Sequence, residues 1–466
     1  MSEPYWWLEH LATRLDRDRA RISRLRSYTN GEAPLPEGAD GCREAYAKFQ
    51  RKARTNFGEL VSEAVSDRMV PSGIRVGDNN EDDDQARTIW KTNRLSIWSA
   101  DVHKDMLEVG CGYVCVQPGK DGPEITYQRP EQTIVDVDPS RPDKRRAGLM
   151  VYRDDVFQVD HAYLHLPGHV YHYVREAPWI NGEPRPFNTV AGEWELLEDY
   201  PSGLDSIPIV AFVNRRGQGE FEPHLDLLDR INWGILQRLV ITAMQAYRQR
   251  ATKGDLPETD ESGAPIDYNE MFKPGPGALW QLPDGVDLWE SAQTDIGGIL
   301  DANREDIKQL AAVTRTPMSV LMPDSQNQSA TGAAFSREGL VMKTEDRINR
   351  AAASWSEVFR LAFALERGGE ANVPQIDVDF LPPDRPTMSE RYDALVKAGS
   401  DVPWRTKMTR ILGFDGDEVD RMAAERAEDA LVSSLMAPQV APGAETPVEG
   451  RAPENDDEEL GDGEDV

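Results

Sequence analysis

The sequence has few cysteines. Only Cys42, Cys111 and Cys115 occur in 466 residues, and GCGYVC around the last two has strand-like spacing without a CxxC pair. This pattern excludes a disulfide framework and a cysteine zinc site. We therefore predict reduced, partly buried thiols.

Long apolar runs are also missing. No stretch approaches the roughly 18 apolar residues that a membrane span needs, and the N-terminal MSEPYWWLEHLATRLDRDRARISRLR has no continuous apolar region typical of a signal peptide. We expect no membrane segment and a cytoplasmic location.

Basic residues are scarce relative to acidic ones. Lys and Arg total 52 against 82 Asp and Glu, which gives a formal net charge of −30. Proteins that hold DNA tightly place Lys and Arg against phosphates, so this balance argues against a conventional DNA binder. The final residues, 433–466, are acidic and poor in aromatic side chains, and we predict a disordered tail there.

Standard catalytic spacings are absent. The sequence contains no GxxxxGK[ST], GxSxG, HExxH or EF-hand pattern, so we expect no enzyme, no cofactor and no metal site. The alternative is a metal-dependent nuclease or hydrolase built on one His-rich segment and nearby acids. Its candidate residues are His161, His165, His169, His172, Asp154, Asp155 and Asp160. Pro167 and Gly168 would break a helix there, and the alternating pattern favours a β-hairpin with packed histidines.

Hydrophobic periodicity indicates an α+β region in residues 1–221. Amphipathic helices are predicted over about 6–28, 46–69 and 86–109, and YVCVQPGKDGPEITYQ then predicts two strands joined by a turn. Further strands are predicted at IVDVD, GLMVYR, AYLHL, HVYHYV and IPIVAFVN.

Helical spacing returns after residue 222. One helix of about 30 residues would span roughly 45 Å, and a second is predicted from about residue 295 to 313. Between them, GALWQL and VDLWE flank a PDG turn suited to a hairpin. The segment PDSQNQSATGAAFS, 323–336, separates this region from a further helix at about 333–367, a strand IDVDF, and two or three short helices over 389–430.

The order of these elements resembles the SPP1-like portal proteins of tailed bacteriophages. The likeness is carried by SYTNGEAPLP, FGELVSEAVSDRMVPSGIRV, NRLSIWSADVHKDMLEVGCGYVCVQPGKDG, IPIVAFVNRRGQGEFEPHLDLLDRINWGILQRL with Asp229 and Asn232, and TPMSVLMPDSQNQSATGAAFSREGL. It covers the chain from Trp7 to about Ala430. Its small residues after the Ser-rich loop are kept only in part, and 253–295 cannot be aligned closely.

The resemblance implies a multidomain α+β ring protomer. Its expected parts are a wing (1–221), stem helix 1 (222–252), a small β-containing clip (253–294), stem helix 2 (295–316), a tunnel loop (317–332), a long wing helix with a returning strand (333–385), a helical crown (386–432) and the acidic tail (433–466).

The resemblance also implies a channel for double-stranded DNA at one capsid vertex of the virion. Expected partners are a homo-oligomeric ring, typically of twelve, the large terminase subunit that supplies the ATPase, head-tail connector proteins, and major capsid and scaffolding proteins. A capsid adaptor or scaffolding protein without a channel is the alternative.

Three residue sets follow as expectations. Tunnel-loop residues that would touch phosphates weakly are Asp324, Ser325, Gln326, Asn327, Gln328 and Ser329. Apolar residues of stem helix 1 that would contact a neighbouring subunit are Leu225, Leu228, Ile231, Trp233, Ile235, Leu236, Leu239, Val240 and Met244. Clip residues that would bind a partner are Trp280, Leu282, Leu288 and Trp289.

Overall fold

The structure is a computed structural model that places two compact units along the chain. It describes residues 3–35, 43–77, 82–177, 188–189, 193–246, 250–254, 258–259, 262–268, 285–290, 295–323, 330–384, 386, 388–414 and 416–436. The first unit, Met1–Gly413, contains every described strand; the second, Phe414–Val466, contains one described helix.

Helices dominate both ends of the first unit. In chain order the α-helices are α1 Pro4–Thr29, α2 Arg43–Lys52, α3 Phe57–Ser66, α4 Asp84–Thr92, α5 Leu95–Val109, α6 Leu225–Ala246, α7 Gly297–Thr314, α8 Met318–Leu321, α9 Ala330–Arg367, α10 Met388–Lys397, α11 Trp404–Thr406 and, in the second unit, α12 Gly416–Met436. A π-helix, Lys407–Leu412, follows α11, and 3₁₀ turns lie at Arg215–Gly217, Glu222–His224 and Glu370–Asn372. None of the helices in the described ranges is long and apolar enough to cross a membrane.

The strands form four antiparallel sheets. They are β1 Pro71–Val76, β2 Cys111–Gly119, β3 Gly122–Gln128, β4 Thr133–Asp138, β5 Arg141–Asp154, β6 Val159–Leu166, β7 His169–Glu176, β8 Glu195–Pro201, β9 Ile209–Val213, β10 Arg250–Lys253, β11 Asp287–Glu290 and β12 Ile376–Phe380. Their orders are β1-β12, β10-β11, β3-β2-β9 and β4-β5-β6-β7-β8.

The largest core lies under α9. One face of this 38-residue helix buries Trp355 and Phe359 against α5 and the strands β2, β3, β9 and β12. The Trp355 indole Nε1 donates to His103 Nε2 at 2.9 Å. Burial lowers the pKa of His103 to about 4, so the ring is neutral and can accept this bond.

Helix α1 contributes to two further cores, one with the five-stranded sheet and one with a group of helices that includes α6 and α7. The first half of α1 packs Leu8, Leu11 and Leu15 on the five-stranded sheet. Its second half shares a core with α3, α6, α7 and α8, which contains Leu25 and Tyr28. The apolar stripe of α1 therefore packs on the sheet along its first half and on other helices along its second half.

Several predicted helices are interrupted. The one expected over 86–109 is two helices, because Arg94 takes left-handed backbone angles with φ of 52°. Asn93 stabilises the break, since its Nδ2 donates to the carbonyls of Ile89 and Pro123 and its Oδ1 accepts from the amide of Ile125. The helix predicted over 46–69 is likewise two, α2 and α3.

The helix predicted as a rod of about 30 residues is shorter. It ends at Ala246, and Arg250–Lys253 is a strand that pairs with Asp287–Glu290. The predicted hairpin paired VDLWE with GALWQL, but in the structure the strand within VDLWE, β11, pairs with β10. Its other arm, GALWQL, lies outside the described residues.

Other boundaries also shift. The segment predicted as a loop over 317–332 contains α8 and the first residues of α9, which begins at Ala330 rather than 333. The last helix has 21 residues and continues to Met436, inside the predicted tail. Strand β8 was not predicted, since its exposed sequence ELLEDYP lacks a period-two apolar pattern.

Candidate functional site

Helix α6 is anchored to the N-terminal region by two polar residues. The Tyr28 hydroxyl donates to Asp229 Oδ1 at 2.8 Å. The amide and hydroxyl of Thr55 donate to Asn232 Oδ1 at 3.1 and 2.7 Å, and Asn232 is buried. Burial and the neighbouring Asp229 raise the pKa of Tyr28 to about 12, which keeps it a donor. The Asp-x-x-Asn spacing of the resemblance thus fixes the base of this helix.

Helices α6 and α7 approach closely at one glycine. A Cβ added to Gly234 would lie 2.3 Å from Asn303 Oδ1, so a side chain there would displace the Asn303 side chain or push the helices apart. Next to this contact Arg230 pairs with Asp306 at 2.9 Å and donates to Gln309 Oε1 at 2.7 Å. Small and polar residues therefore set the separation of the pair.

The predicted inter-subunit residues of α6 whose side chains are described divide into three groups. Leu228, Ile231 and Leu236 are buried within a single chain, so we withdraw the inter-subunit assignment for these three. Trp233 is 47% exposed. The half-buried members are Leu225, Ile235, Leu239 and Val240. The side chain of Met244 lies outside the described residues.

The predicted tunnel-loop residues, 324–329, lie outside the described residues, but both flanks are described. Helix α7 ends at Thr314, and Arg315 follows with left-handed backbone angles. Lys343 of α9 donates from Nζ to the Thr314 carbonyl at 2.7 Å and closes this helix end.

Lys343 also belongs to a buried group of charged side chains. We call Glu220, Lys343 and Arg347 the Glu220 cluster. Glu220 lies 3.4 Å from Lys343 Nζ and 2.7 Å from Arg347 Nε, and Asn214 Nδ2 also donates to it at 3.0 Å. Burial opposes ionisation of Glu220, but Lys343 and Arg347 outweigh it and lower the pKa. Burial, partly offset by Glu220, lowers the pKa of Lys343.

The cluster therefore joins two distant parts of the chain. Glu220 follows β9, while the two cations lie one helical turn apart on α9. The sequence analysis missed it. Its signal was a charged pair, Lys343 and Arg347, on the same stripe of α9 as the apolar residues that face the core.

Only part of the predicted clip set is described. Leu288 is 39% exposed and Trp289 is 56% exposed, both on the short strand β11. Trp280 and Leu282 lie outside the described residues. Two exposed apolar side chains on a two-stranded sheet are available to a partner.

The His-rich segment forms the predicted β-hairpin, β6 and β7. His161 Nδ1 lies 3.0 Å from His172 Nε2, and the Tyr163 ring stacks on His172 with centroids 4.1 Å apart. His165 is buried, which lowers its pKa to about 4, and His169 lies 3.0 Å from Asp199. The histidines are thus packed or paired with neighbouring side chains.

Two of the three nearby acids, Asp160 and Asp154, also bind protein groups, and Asp155 is exposed. Asp160 is buried between Arg153 and Arg175 at 2.7 and 2.8 Å, and Asp154 accepts from the amides of Val156 and Phe157 in a turn. Within the described ranges, no three His, Cys, Asp or Glu side chains converge as metal ligands.

Comparison with known proteins gives one consistent result. The family model described as "Phage portal protein, SPP1 Gp6-like" matches residues 8–430. The portal protein of Mycobacterium phage D29 is 23% identical over 402 residues, which cover 81% of this chain and 80% of that protein. The portal protein of Mycobacterium phage L5 is 22% identical over 405 residues, covering 82% and 80%.

Solved structures overlap with the chain only loosely. A chain in the neck of an empty gene transfer agent particle is 14% identical and covers 81% of this chain and 94% of its own length, with a TM-score of 0.42. The family assignment therefore depends on the sequence matches.

Proposed function

The chain belongs to the SPP1 Gp6-like family of phage portal proteins, and from this premise we propose how its parts form a DNA channel. Its role is that of a structural phage portal component and not of an enzyme. As proposed here, copies close into a ring of about twelve at one capsid vertex of the virion, and double-stranded DNA passes through the central hole during packaging and ejection. Assembly takes place in the host cytoplasm.

The observation that carries this proposal is the construction around residues 324–329. Helices α7 and α9 are joined by the Lys343 bond to Thr314, and the Glu220 cluster also holds α9. Between α7 and α9 lie the short helix α8 and the polar sequence DSQNQS, and a polar connection held at both ends suits a constriction that touches phosphates without reading bases. The net charge of −30 per chain disfavours tight retention of DNA.

The proposed ring contact on α6 centres on Trp233. It is the exposed apolar residue of the set, and a ring requires each subunit to present different faces to its two neighbours. Leu225, Ile235, Leu239 and Val240, each half-buried, would complete the contact. The exposed Leu288 and Trp289 would instead bind the large terminase subunit and later the connector proteins, while capsid and scaffolding proteins contact the wing.

Electron microscopy of the purified protein tests the ring directly. We expect particles with a central hole and a mass about twelve times the 52.2 kDa of one chain. Trp233→Ser should raise the protein concentration needed for half-assembly at least about tenfold, because buried aromatic residues dominate interface energies. Trp289→Ser is the matched control and should assemble normally. Particles without a hole, or equal effects of both variants, would contradict the proposal.

The channel assignment has its own test. Replacing residues 326–329 with four lysines should slow DNA packaging, because the added cations would hold phosphates. A neutral replacement of the same length with Ser and Gly is the control and should package faster than the lysine variant. Equal packaging by the two variants would remove residues 324–329 from the channel.

A further inference from the structure

The turn between β5 and β6 exposes two large apolar side chains. Val156 is 84% exposed and Phe157 is 77% exposed, and the two are adjacent at the end of a hairpin. Apolar side chains gain free energy when a partner removes them from water, and adjacent exposed ones mark candidate contact surfaces. We call residues 154–157 the β5-β6 tip.

Hydrogen bonds hold this tip in one backbone conformation. Asp154 Oδ1 accepts from the amides of Val156 and Phe157 at 2.9 and 3.0 Å. Gln158 follows with a left-handed φ of 54°, and its carbonyl accepts from the amide of Ala177 at 2.8 Å. A partner therefore meets a surface that is already ordered, so little conformational entropy is lost on binding.

The tip is also acidic. Asp155 is exposed within it, and Glu176, at the end of the nearby strand β7, is exposed at the same edge of the sheet. The two cations at this end of the strands, Arg153 and Arg175, bind the buried Asp160. The exposed end of the hairpin thus combines apolar side chains with negative charge.

The opposite end of β5 is basic. Residues 137–146, which contain the turn between β4 and β5, include four basic and two acidic side chains in a chain whose net charge is −30. Arg145 and Arg146 are paired with acids of the chain, whereas Arg141 and Lys144 are exposed. We call these ten residues the β4-β5 turn region. Its exposed apolar residues are Val137, Pro139 and Pro142.

The tip and the turn region cannot meet within one chain. They lie at opposite ends of β5, whose 14 residues extend over about 40 Å at the usual rise of a strand. A contact between them must therefore join two different copies. Such a contact uses a different surface on each copy, as the closure of a ring requires.

We propose that the β5-β6 tip of one copy docks on the β4-β5 turn region of the next copy. Val156 and Phe157 pack against the exposed apolar side chains of that region, and Asp155 lies beside Lys144. A second copy suits the tip better than a capsid protein, because the complementary charge and apolar surface both occur on this chain. The inference rests on the proposed ring and adds a second contact to the one on α6.

Rotational symmetry determines where these contacts lie. Each copy would carry one contact at its tip and one at its turn region, and symmetry places all of them at one height. In a ring of twelve, successive contacts about 40 Å apart lie on a circle about 150 Å in diameter. A map of the ring should show neighbours joined at that radius, and a gap between neighbours there would contradict the contact.

Carbodiimide cross-linking tests the contact directly, because this zero-length reagent joins only carboxylates and amines that already touch. Isotope-labelled and unlabelled chains are mixed before assembly and treated after it. We expect a cross-link between Asp155 and Lys144 that joins a labelled peptide to an unlabelled one. Rings without this cross-link overturn the docking and leave the ring itself standing, whereas a protein that forms no rings contradicts both proposals.

Substitutions of Phe157 give a quantitative test. Phe157→Ser should raise the protein concentration needed for half-assembly at least about tenfold, because aromatic residues dominate interface energies. Phe157→Leu keeps an apolar side chain and is the matched control, which should assemble nearly as well as the wild type. The residue is exposed in the single chain, so neither variant should unfold it. Equal assembly of the two variants would overturn the proposal.

An exchange of charges identifies the surface on which the tip docks. Asp155→Lys and Lys144→Glu should each raise the half-assembly concentration at least about threefold, because like charges then meet across the contact. Both changes in one chain should restore assembly, since the opposite charges face each other again. A double variant that assembles no better than the single ones refutes the pairing. Normal assembly of Asp155→Lys with weakened binding of a scaffolding or capsid protein would assign the tip to that partner and overturn the proposal.

Discussion

The Arg26 cluster, which consists of Arg26, Asp105, Glu108 and Glu131, is partly buried, and the Glu220 cluster is buried. Both join distant parts of the chain, yet their charge balance is opposite. In the first, one arginine serves three carboxylates; in the second, one carboxylate serves two cations. In each cluster, the single group that has several oppositely charged partners is stabilised in its charged form. Carboxylates outweigh burial and raise the pKa of Arg26, and cations outweigh burial and lower the pKa of Glu220.

The more numerous groups, which share one oppositely charged partner, are disfavoured in their charged form. Burial raises the pKa of Asp105 and Glu108, so each binds protons more readily in the folded chain than in the unfolded one. Burial also lowers the pKa of Lys343. A buried ion pair is thus no fixed unit of stability; its contribution depends on how many partners share each charge.

The largest expected effect is that of Glu220→Gln. This variant leaves Arg347 and Lys343 buried against a neutral amide, and an arginine cannot escape by losing its proton. We expect a loss of about 3–5 kcal/mol in the free energy of unfolding, measured by urea unfolding at pH 7.5. Glu338→Gln, at an exposed position on α9, the helix that carries Lys343 and Arg347, is the control and should change stability by less than about 0.5 kcal/mol. Similar losses in both variants would show that the Glu220 cluster does not stabilise the chain.

A smaller loss is expected for Arg26→Met. Its three carboxylates lose their shared cation, but they can take up protons, so we expect about 2–4 kcal/mol at pH 7.5. The loss should shrink on acidification to pH 5, because protonation removes the repulsion between Asp105 and Glu108. The free energy of unfolding of variant and wild type at both pH values decides this. A loss that grows on acidification would contradict the charge balance described here.

The smallest and most discriminating effect is that of Glu108→Gln. The pKa of Glu108 is raised by burial, so its ionised form destabilises the fold once the pH exceeds its ordinary range near 4.5. At pH 8 the variant should be equal to the wild type or up to about 1 kcal/mol more stable, although it removes an ion pair. The gain should vanish toward pH 4.5.

The same substitution at Glu220 should behave in the opposite way. The pKa of Glu220 is lowered, so its contribution is complete above its ordinary range near 4.5 and is lost as the pH falls below it. The paired pH series therefore separates the clusters by sign. Parallel curves for Glu108→Gln and Glu220→Gln would refute the comparison.

Hydrophobic periodicity predicted the helices and strands that bury one regular apolar face. The helix α9, the hairpin β2-β3, the His-rich hairpin and strand β12 were all predicted, because each buries one regular face. The breaks at Arg94 and between α2 and α3 were not. These breaks depend on hydrogen bonds to distant parts of the chain: Asn93 bonds to strand β3, and Thr55 bonds to Asn232 of α6.

For the candidate site, the sequence predicted positions better than roles. Asp229 and Asn232 were marked by the resemblance alone, and the structure gives them the task of fixing α6 to Tyr28 and Thr55. The stripe of α6 was predicted correctly as apolar, but Leu228, Ile231 and Leu236 face the chain's own core. Spacing along one helix cannot tell which apolar face meets its own chain and which remains exposed.

By itself, the sequence determined the order of elements, the acidic charge of −30 and the family, because composition and local periodicity are properties of neighbouring residues. Only the tertiary structure decided which charges share partners. Glu220 and Lys343, or Arg26 and Asp105, are far apart along the chain, and their pKa shifts arise from burial and from short distances that only folding creates.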